Sequence, residues 1–222
     1  MHDVIVVRDL VKTFSDRVEV LDGLTFSIGA GDFVAVYGKS GCGKTTLLNI
    51  LGGLDSPTSG SVSIDGENVA DMSEDELAYL RLSKIGFVFQ DYNLLQDLTV
   101  RENLELPLKF SKRGNGNHIS NLLDKFGIEH IADESAKKIS GGEAQRTAIA
   151  RAMVNEPRIL IADEPTGNLD KENAENVMEM FRVACKDFGT TIVLATHDTG
   201  IADCASHRMH LEHGKIELVN WN

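Results

Sequence analysis

Apolar and polar positions along the chain fall into two rhythms. Short apolar runs, "FVAVY", "IGFVF", "RILIA" and "TIVLAT", suit parallel strands buried on both faces. Between them lie stretches of helical period. "TTLLNILGGL" reads as a helix closed by Gly52 and Gly53, and "LAYLRLSK" follows the capping pair Ser73 and Glu76. Thr99 and Glu102 open a helix running through Leu104, Leu106 and Leu108. The N-terminal part alternates as strands do, with turn signals at Asp22-Gly23 and Gly29-Ala30-Gly31-Asp32. Asp65-Gly66 signals a hairpin, and "HRMHLEHGKI" reads as strand and turn. "SKRGNGNHIS" is a polar, glycine-rich loop before a short helix, "NLLDKFGI". Apolar strands separated by helices predict a three-layer α/β core. Residues from about 91 to 140 form a mostly helical insertion between strand-rich regions.

One stretch breaks its own rules. "KKISGGEAQRTAIARAM" is built of good helix formers from Glu143 onward, and Ser140 with Glu143 makes a capping box. Its first turn nevertheless holds Gly141 and Gly142, each costing a helix interior roughly 1 kcal/mol relative to alanine.

Composition narrows the function. A net charge of -12 argues against nucleic acid or anionic lipid as the main partner. No apolar run approaches the ~20 residues that span a bilayer. Asp3 and Arg8 sit in the wrong places for a signal peptide. Cys42, Cys185 and Cys204 are scattered without metal-ligand spacing, so an intracellular, reduced protein is expected.

Two motifs carry chemistry. "GKSGCGKTT" follows the strand "FVAVY" and opens the next helix, fitting G-x-x-x-x-G-K-[ST] with Gly38, Gly43, Lys44 and Thr45. Glycines let backbone N–H groups of Lys39, Ser40, Gly41, Cys42 and Thr46 wrap a polyphosphate, and the helix terminus adds partial positive charge. Lys44 is placed to reach the β- and γ-phosphates, and the Thr45 hydroxyl to ligate Mg²⁺. "RILIADEPTGNLD" then delivers Asp163 and Glu164 at the carboxyl end of a strand. Adjacent carboxylates beside a triphosphate call for different roles: Asp163 toward Mg²⁺, Glu164 toward the attacking water.

Together these residues resemble the nucleotide-binding domain of ABC (ATP-binding cassette) transporters over essentially the whole chain. The resemblance implies a P-loop NTPase three-layer core, an N-terminal antiparallel β subdomain and an inserted α-helical subdomain. Residues 1–90 and 141–222 would form the core and β subdomain of a single domain. "ISGGE" is similar to the family's signature, with Ile139 for the usual leucine. In the family this helix start meets the γ-phosphate held by the other protomer. Ser140, Gly141, Gly142 and Glu143 would then contact ATP in trans, with glycines keeping that approach clear. The resemblance also makes Gln90 the Q-loop residue near Mg²⁺, Asp170 part of the interfacial D-loop, and His197 the switch histidine at the γ-phosphate. Phe14 takes the position where an aromatic stacks on adenine. ATP and Mg²⁺ are the implied cofactors, with Thr45, Gln90 and Asp163 around the metal.

"LLNILGGLD", "NLLQDLTVRENLELPL" and "EPTGNLD" further resemble the subgroup serving lipoprotein release, macrolide export and cell-division signalling (LolD-, MacB- and FtsE-type). The implied partners are a second copy of the chain, joined through ATP, and integral membrane permease subunits at the cytoplasmic face of the membrane. The sequence ends soon after its last strand, so the extra C-terminal regulatory domain of some importer ATPases is not expected. The alternative is a soluble, non-transport ABC ATPase. Residues 91–110 are expected to form the partner's docking groove, with Leu94, Leu95 and Leu98 either in it or in the subdomain core.

Overall fold

A computed structural model describes residues 2–14, 19–111 and 116–219. The chain runs β1 (Asp3–Thr13), β2 (Glu19–Gly29), β3 (Phe33–Tyr37), α1 (Lys44–Leu51), β4 (Ser59–Ile64), β5 (Glu67–Asn68), α2 (Glu74–Ser83) and β6 (Ile85–Val88). It continues through α3 (Val100–Ser111), α4 (Gly116–Lys125), α5 (Gly141–Met153), β7 (Ile159–Asp163) and α6 (Lys171–Phe188). It ends with β8 (Thr191–Thr196), α7 (Thr199–Ala202), β9 (His207–Glu212) and β10 (Lys215–Val219).

The six-stranded sheet has the order β10-β9-β3-β8-β7-β6, parallel except for β10. Strands β3, β8, β7 and β6 are largely apolar because both their faces are covered, whereas β9 and β10 at the edge carry charged and polar residues. Ile159 and Ile161 of β7 and Val193 and Ala195 of β8 enter one apolar cluster. The alternate residues Leu160, Ala162, Ile192 and Leu194 enter the other. On the first side lie α1 and the antiparallel sheet β2-β1-β4-β5. Helix α1 buries Leu47, Leu48, Ile50 and Leu51, nearly its whole circumference, as a helix wedged between two sheets must. On the second side α5 and α6 cover the sheet, and α3 and α4 join the same cluster through Val100, Leu104, Ile119, Leu122, Leu123 and Phe126. These are the three layers and the antiparallel sheet expected of the fold.

Three local expectations change. Asp22-Gly23 is not a turn: Leu10 faces Leu24 and Lys12 faces Leu21, so β2 carries an extra residue there, a bulge with Gly23 at φ 67°. The glycine-rich loop is partly helix, because α4 already begins at Gly116; residues 112–115 lie outside the described set. The apolar side chains Ile119, Leu122, Leu123 and Phe126 repeat at helical spacing and are all buried, which overrides the polar composition. Finally, Leu94 and Leu95 part company. Leu94 is buried among Ala136, Ala144 and Ala148, whereas Leu95 is 46% exposed. That cluster also places Ala144, which fills the space between α5 and the segment after β6.

Candidate active site

The loop between β3 and α1 has its shape imposed by two glycines. A Cβ on Gly38 would stand 2.3 Å from the Leu211 carbonyl oxygen, and Gly43 sits at φ 107°, the left-handed region. Lys44 is buried, and its ammonium donates to the carbonyls of Gly38 (2.9 Å) and Lys39 (3.1 Å). The loop thus closes around its own lysine, which points inward.

Strand β7 brings the acidic pair to the same place. Asp163 stands beside the Thr45 hydroxyl. Burial pushes its carboxyl above the usual carboxylate range, Thr45 opposes that, and neighbouring Glu164 adds to it. Its Oδ1 is buried without a partner. An acceptor buried beside a hydroxyl is an oxygen donor set suited to a hard divalent cation, so the residues fit Mg²⁺. Glu164 follows at φ 47°, a left-handed conformation in a residue other than glycine. That kink turns its carboxylate off the strand end. Oε1 lies 3.7 Å from the Lys44 ammonium, and Oε2 is 2.9 Å from His197 Nδ1. His197 follows β8, and its own N–H donates to the same oxygen at 3.4 Å.

One cleft of about 440 Å³ collects Ser40, Gly41, Gly43, Lys44, Thr45, Thr46, Gln90, Asp163, Glu164 and His197. Lys39 and Cys42 line the neighbouring hollow with Glu19 and His213. Val20 borders both, a residue that nothing in its own segment singles out. Gln90 is exposed at the exit of β6, its carbonyl accepting from the Asn168 amide at 3.4 Å.

Other predicted residues lie elsewhere. Phe14 is 46% exposed, so it is no core residue, and the Lys12 ammonium sits 5.0 Å from its ring centroid. Lys12 is itself tied to Asp55 Oδ1 (2.7 Å) and the Ser56 carbonyl (2.8 Å). Asp170 caps α6 by accepting from Asn173 N at 2.8 Å. Ser140 caps α5 in the predicted capping box: Glu143 Oε2 accepts from Ser140 N (2.8 Å) and Oγ (2.7 Å). None of Ser140, Gly141, Gly142 or Glu143 lines the cleft. Two anchors had no signal in the sequence. Arg151 of α5 donates to the carbonyls of Tyr92 (2.9 Å) and Asn93 (2.6 Å), just beyond Gln90. Buried Asn103 of α3 pairs with Leu95 N (2.9 Å) and O (3.1 Å).

Comparison with known proteins places this geometry. A family model described as "ABC transporter" matches residues 21–167. The macrolide export ATP-binding/permease protein MacB of Syntrophobacter fumaroxidans is 44% identical over 97% of this chain and 31% of its own length. A second MacB, from Bdellovibrio bacteriovorus, is covered over 33%, so the chain spans about a third of these relatives. The lipoprotein-releasing system ATP-binding protein LolD 1 of Chlorobium chlorochromatii is 41% identical over 94% of this chain and 87% of its own. Among solved structures, the dimeric bacterial ABC transporter cassette MJ0796 superposes with a TM-score of 0.87 at 39% identity, covering 96% of each chain. The same cassette as a post-hydrolysis dimer with ADP and Pi gives 0.87 at 38% identity. The glycine loop around Lys44, the paired carboxylates at the strand end and the capped start of α5 all lie within the matched residues: the chain belongs to the ABC transporter family, as one of its ATP-binding and ATP-hydrolysing cassettes.

Proposed function

We propose that two copies of this chain close around two ATP-Mg²⁺ and that their hydrolysis drives an integral membrane partner. The observation that carries the reading is a division of the machinery. Lys44, Thr45, Gln90, Asp163, Glu164 and His197 share one cleft, while the start of α5 stands outside it with Gly141 exposed. A cleft of this kind binds and activates, and the detached helix terminus is free to meet the anion bound by another copy. The dimeric state of the MJ0796 cassette supports the same arrangement.

Within the cleft, Lys44 exchanges its loop carbonyls for phosphate oxygens, and Phe14 offers its exposed ring to the base. Thr45, Asp163 and Gln90, partly through water, are the residues to hold Mg²⁺, which when bound neutralises charge on the phosphates. Glu164 takes the proton of the attacking water, and His197 holds that carboxylate in place and faces the γ-phosphate. From the second copy, Ser140 and the N–H groups of Gly141, Gly142 and Glu143 close the site, with Asp170 at the interface. Among the described residues no helix is long and apolar enough to cross a membrane. The membrane partner we propose is an integral permease, with this cassette at its cytoplasmic face, and the relatives' names point to lipoprotein release or export.

Glu164→Gln tests the reading. It should abolish turnover, keep ATP binding and yield an ATP-dependent dimer on size-exclusion chromatography. Affinity capture of that variant from native membranes with ATP-Mg²⁺ should then recover a multi-span protein. Undiminished turnover rules out Glu164 as the base; an intact dimer that captures no membrane protein rules out the transport role.

A further inference from the structure

The two glycines that open α5 are not equivalent. Gly141 is exposed, and a Cβ there would meet only the Tyr92 hydroxyl, at 3.2 Å. Gly142 is buried, and a Cβ there would lie 2.2 Å from Asn173 Oδ1 and 2.6 Å from its Cγ, overlaps no real side chain tolerates. Asn173 belongs to the first turn of α6 of the same chain, so the space above Gly142 is taken within one protomer.

Asn173 is not free to step aside. Its amide nitrogen donates to both carboxylate oxygens of Asp170, each at 3.0 Å, and its backbone N–H donates to Asp170 Oδ1 at 2.8 Å. Its amide oxygen accepts from Arg146 of α5 at 3.4 Å. One short side chain therefore spans from the capping carboxylate of α6 to the second residue of α5. Asp170 and Gly142 are the two segments proposed to face the other copy, and Asn173 makes them a single unit.

We infer that Asn173 is a positioning residue for the ATP site completed by the second copy: it fixes the start of α5 against the Asp170 turn, and position 142 is glycine to seat it. The inference rests on the two-copy reading above and departs from it at one point. The bare position at Gly141 keeps the approach from the other copy open, whereas the bare position at Gly142 serves packing inside the chain.

A double-mutant cycle separates the two purposes. ATP turnover (kcat and KM), ATP-dependent dimerisation in the Glu164→Gln background and thermal unfolding are measured for Gly142→Ala, Asn173→Ala and the pair. Gly142→Ala is expected to lower kcat and weaken dimerisation by about tenfold or more, the cost of overpacking a filled site. Asn173→Ala removes the obstacle, so the double variant should return to within about threefold of Asn173→Ala alone. Gly141→Ala should gain nothing from Asn173→Ala. A double variant whose loss is the product of the two single losses overturns the inference, because the added methyl group would then obstruct the other copy whether or not Asn173 is there. If Gly142→Ala does not fold, Asn173→Asp decides. It keeps the volume but sets a carboxylate against Asp170 with no amide to donate. The inference requires kcat to fall about tenfold with ATP affinity unchanged, and an unchanged kcat refutes it. A wild-type chain that neither turns over nor dimerises with ATP sinks the two-copy reading and this inference together. Wild-type turnover without the rescue sinks this inference alone.

Discussion

Replacing Arg151 with methionine isolates what holds the segment after Gln90. Its guanidinium is partly buried, which pulls its pKa below the ordinary arginine value, and it donates to two successive carbonyls, Tyr92 O and Asn93 O. Those residues both sit in the left-handed region, at φ 61° and 49°. A bond from a charged donor contributes about 1.5–3 kcal/mol, so the pair gives about 3–6 kcal/mol gross. Two offsets reduce it. Relaxing the left-handed pair returns about 1–2 kcal/mol in all, asparagine being tolerant there. The methionine also fills much of the stem's volume without burying a charge. A net loss of about 2 kcal/mol is expected, a roughly thirtyfold rise in local opening. Amide exchange read by mass spectrometry should show the loss concentrated in peptides covering residues 91–98. Peptides of β7 and β8 should keep wild-type protection. Arg151→Lys, with one compact donor for two carbonyls, should fall between. Wild-type exchange across 91–98 in Arg151→Met would refute the reasoning, because the left-handed pair would then be held by something else.

Three further outcomes are expected. Leu95→Asp should leave stability within about 0.5 kcal/mol and spare the ATPase of the isolated chain while abolishing capture of the membrane partner; Leu94→Asp, in the buried cluster, should cost about 3 kcal/mol or more in urea unfolding. Lys12→Met should weaken ATP binding about three- to tenfold in calorimetric titration without changing tripolyphosphate binding, since Lys12 braces the Phe14 ring and not the phosphate loop. Hydrogen bonds from Ser140 hold the Glu143 carboxyl below its ordinary range, so the ionised form stabilises the fold. The stability gap between wild type and Glu143→Ala should therefore hold steady above about pH 5 and close as the pH falls through the depressed value, with a pH-independent gap counting against the capping box.

The parts legible in the sequence are those whose physics is local. Gly38 and Gly43 announce a loop because backbone shape demands them, and Ser140 with Glu143 announces a helix start because the bonds close within three residues. Strands β7 and β8 read correctly because a run apolar at every position has only one place to go. Contacts between distant segments leave no such trace. Arg151 reaching Asn93, Asn103 holding Leu95, and Asn173 filling the space over Gly142 are polar residues on helices, and their partners lie on other elements or loops. The beginning of α4 left no trace either, because its sequence opens on glycine and asparagine and the first of its buried apolar positions is Ile119. Family likeness gives one purpose to both glycines, and it leaves no sign that Asn173 of the same chain fills the space over Gly142.

The kink at Glu164 has a consequence for anyone improving this chain. A glutamate at φ 47° is about 1 kcal/mol worse placed than a glycine would be. Random libraries screened for heat resistance will therefore be drawn to this codon, and the hardier clones they return will have surrendered the carboxylate facing Lys44 and His197. Any thermostability campaign has to hold position 164 fixed, or score turnover alongside survival.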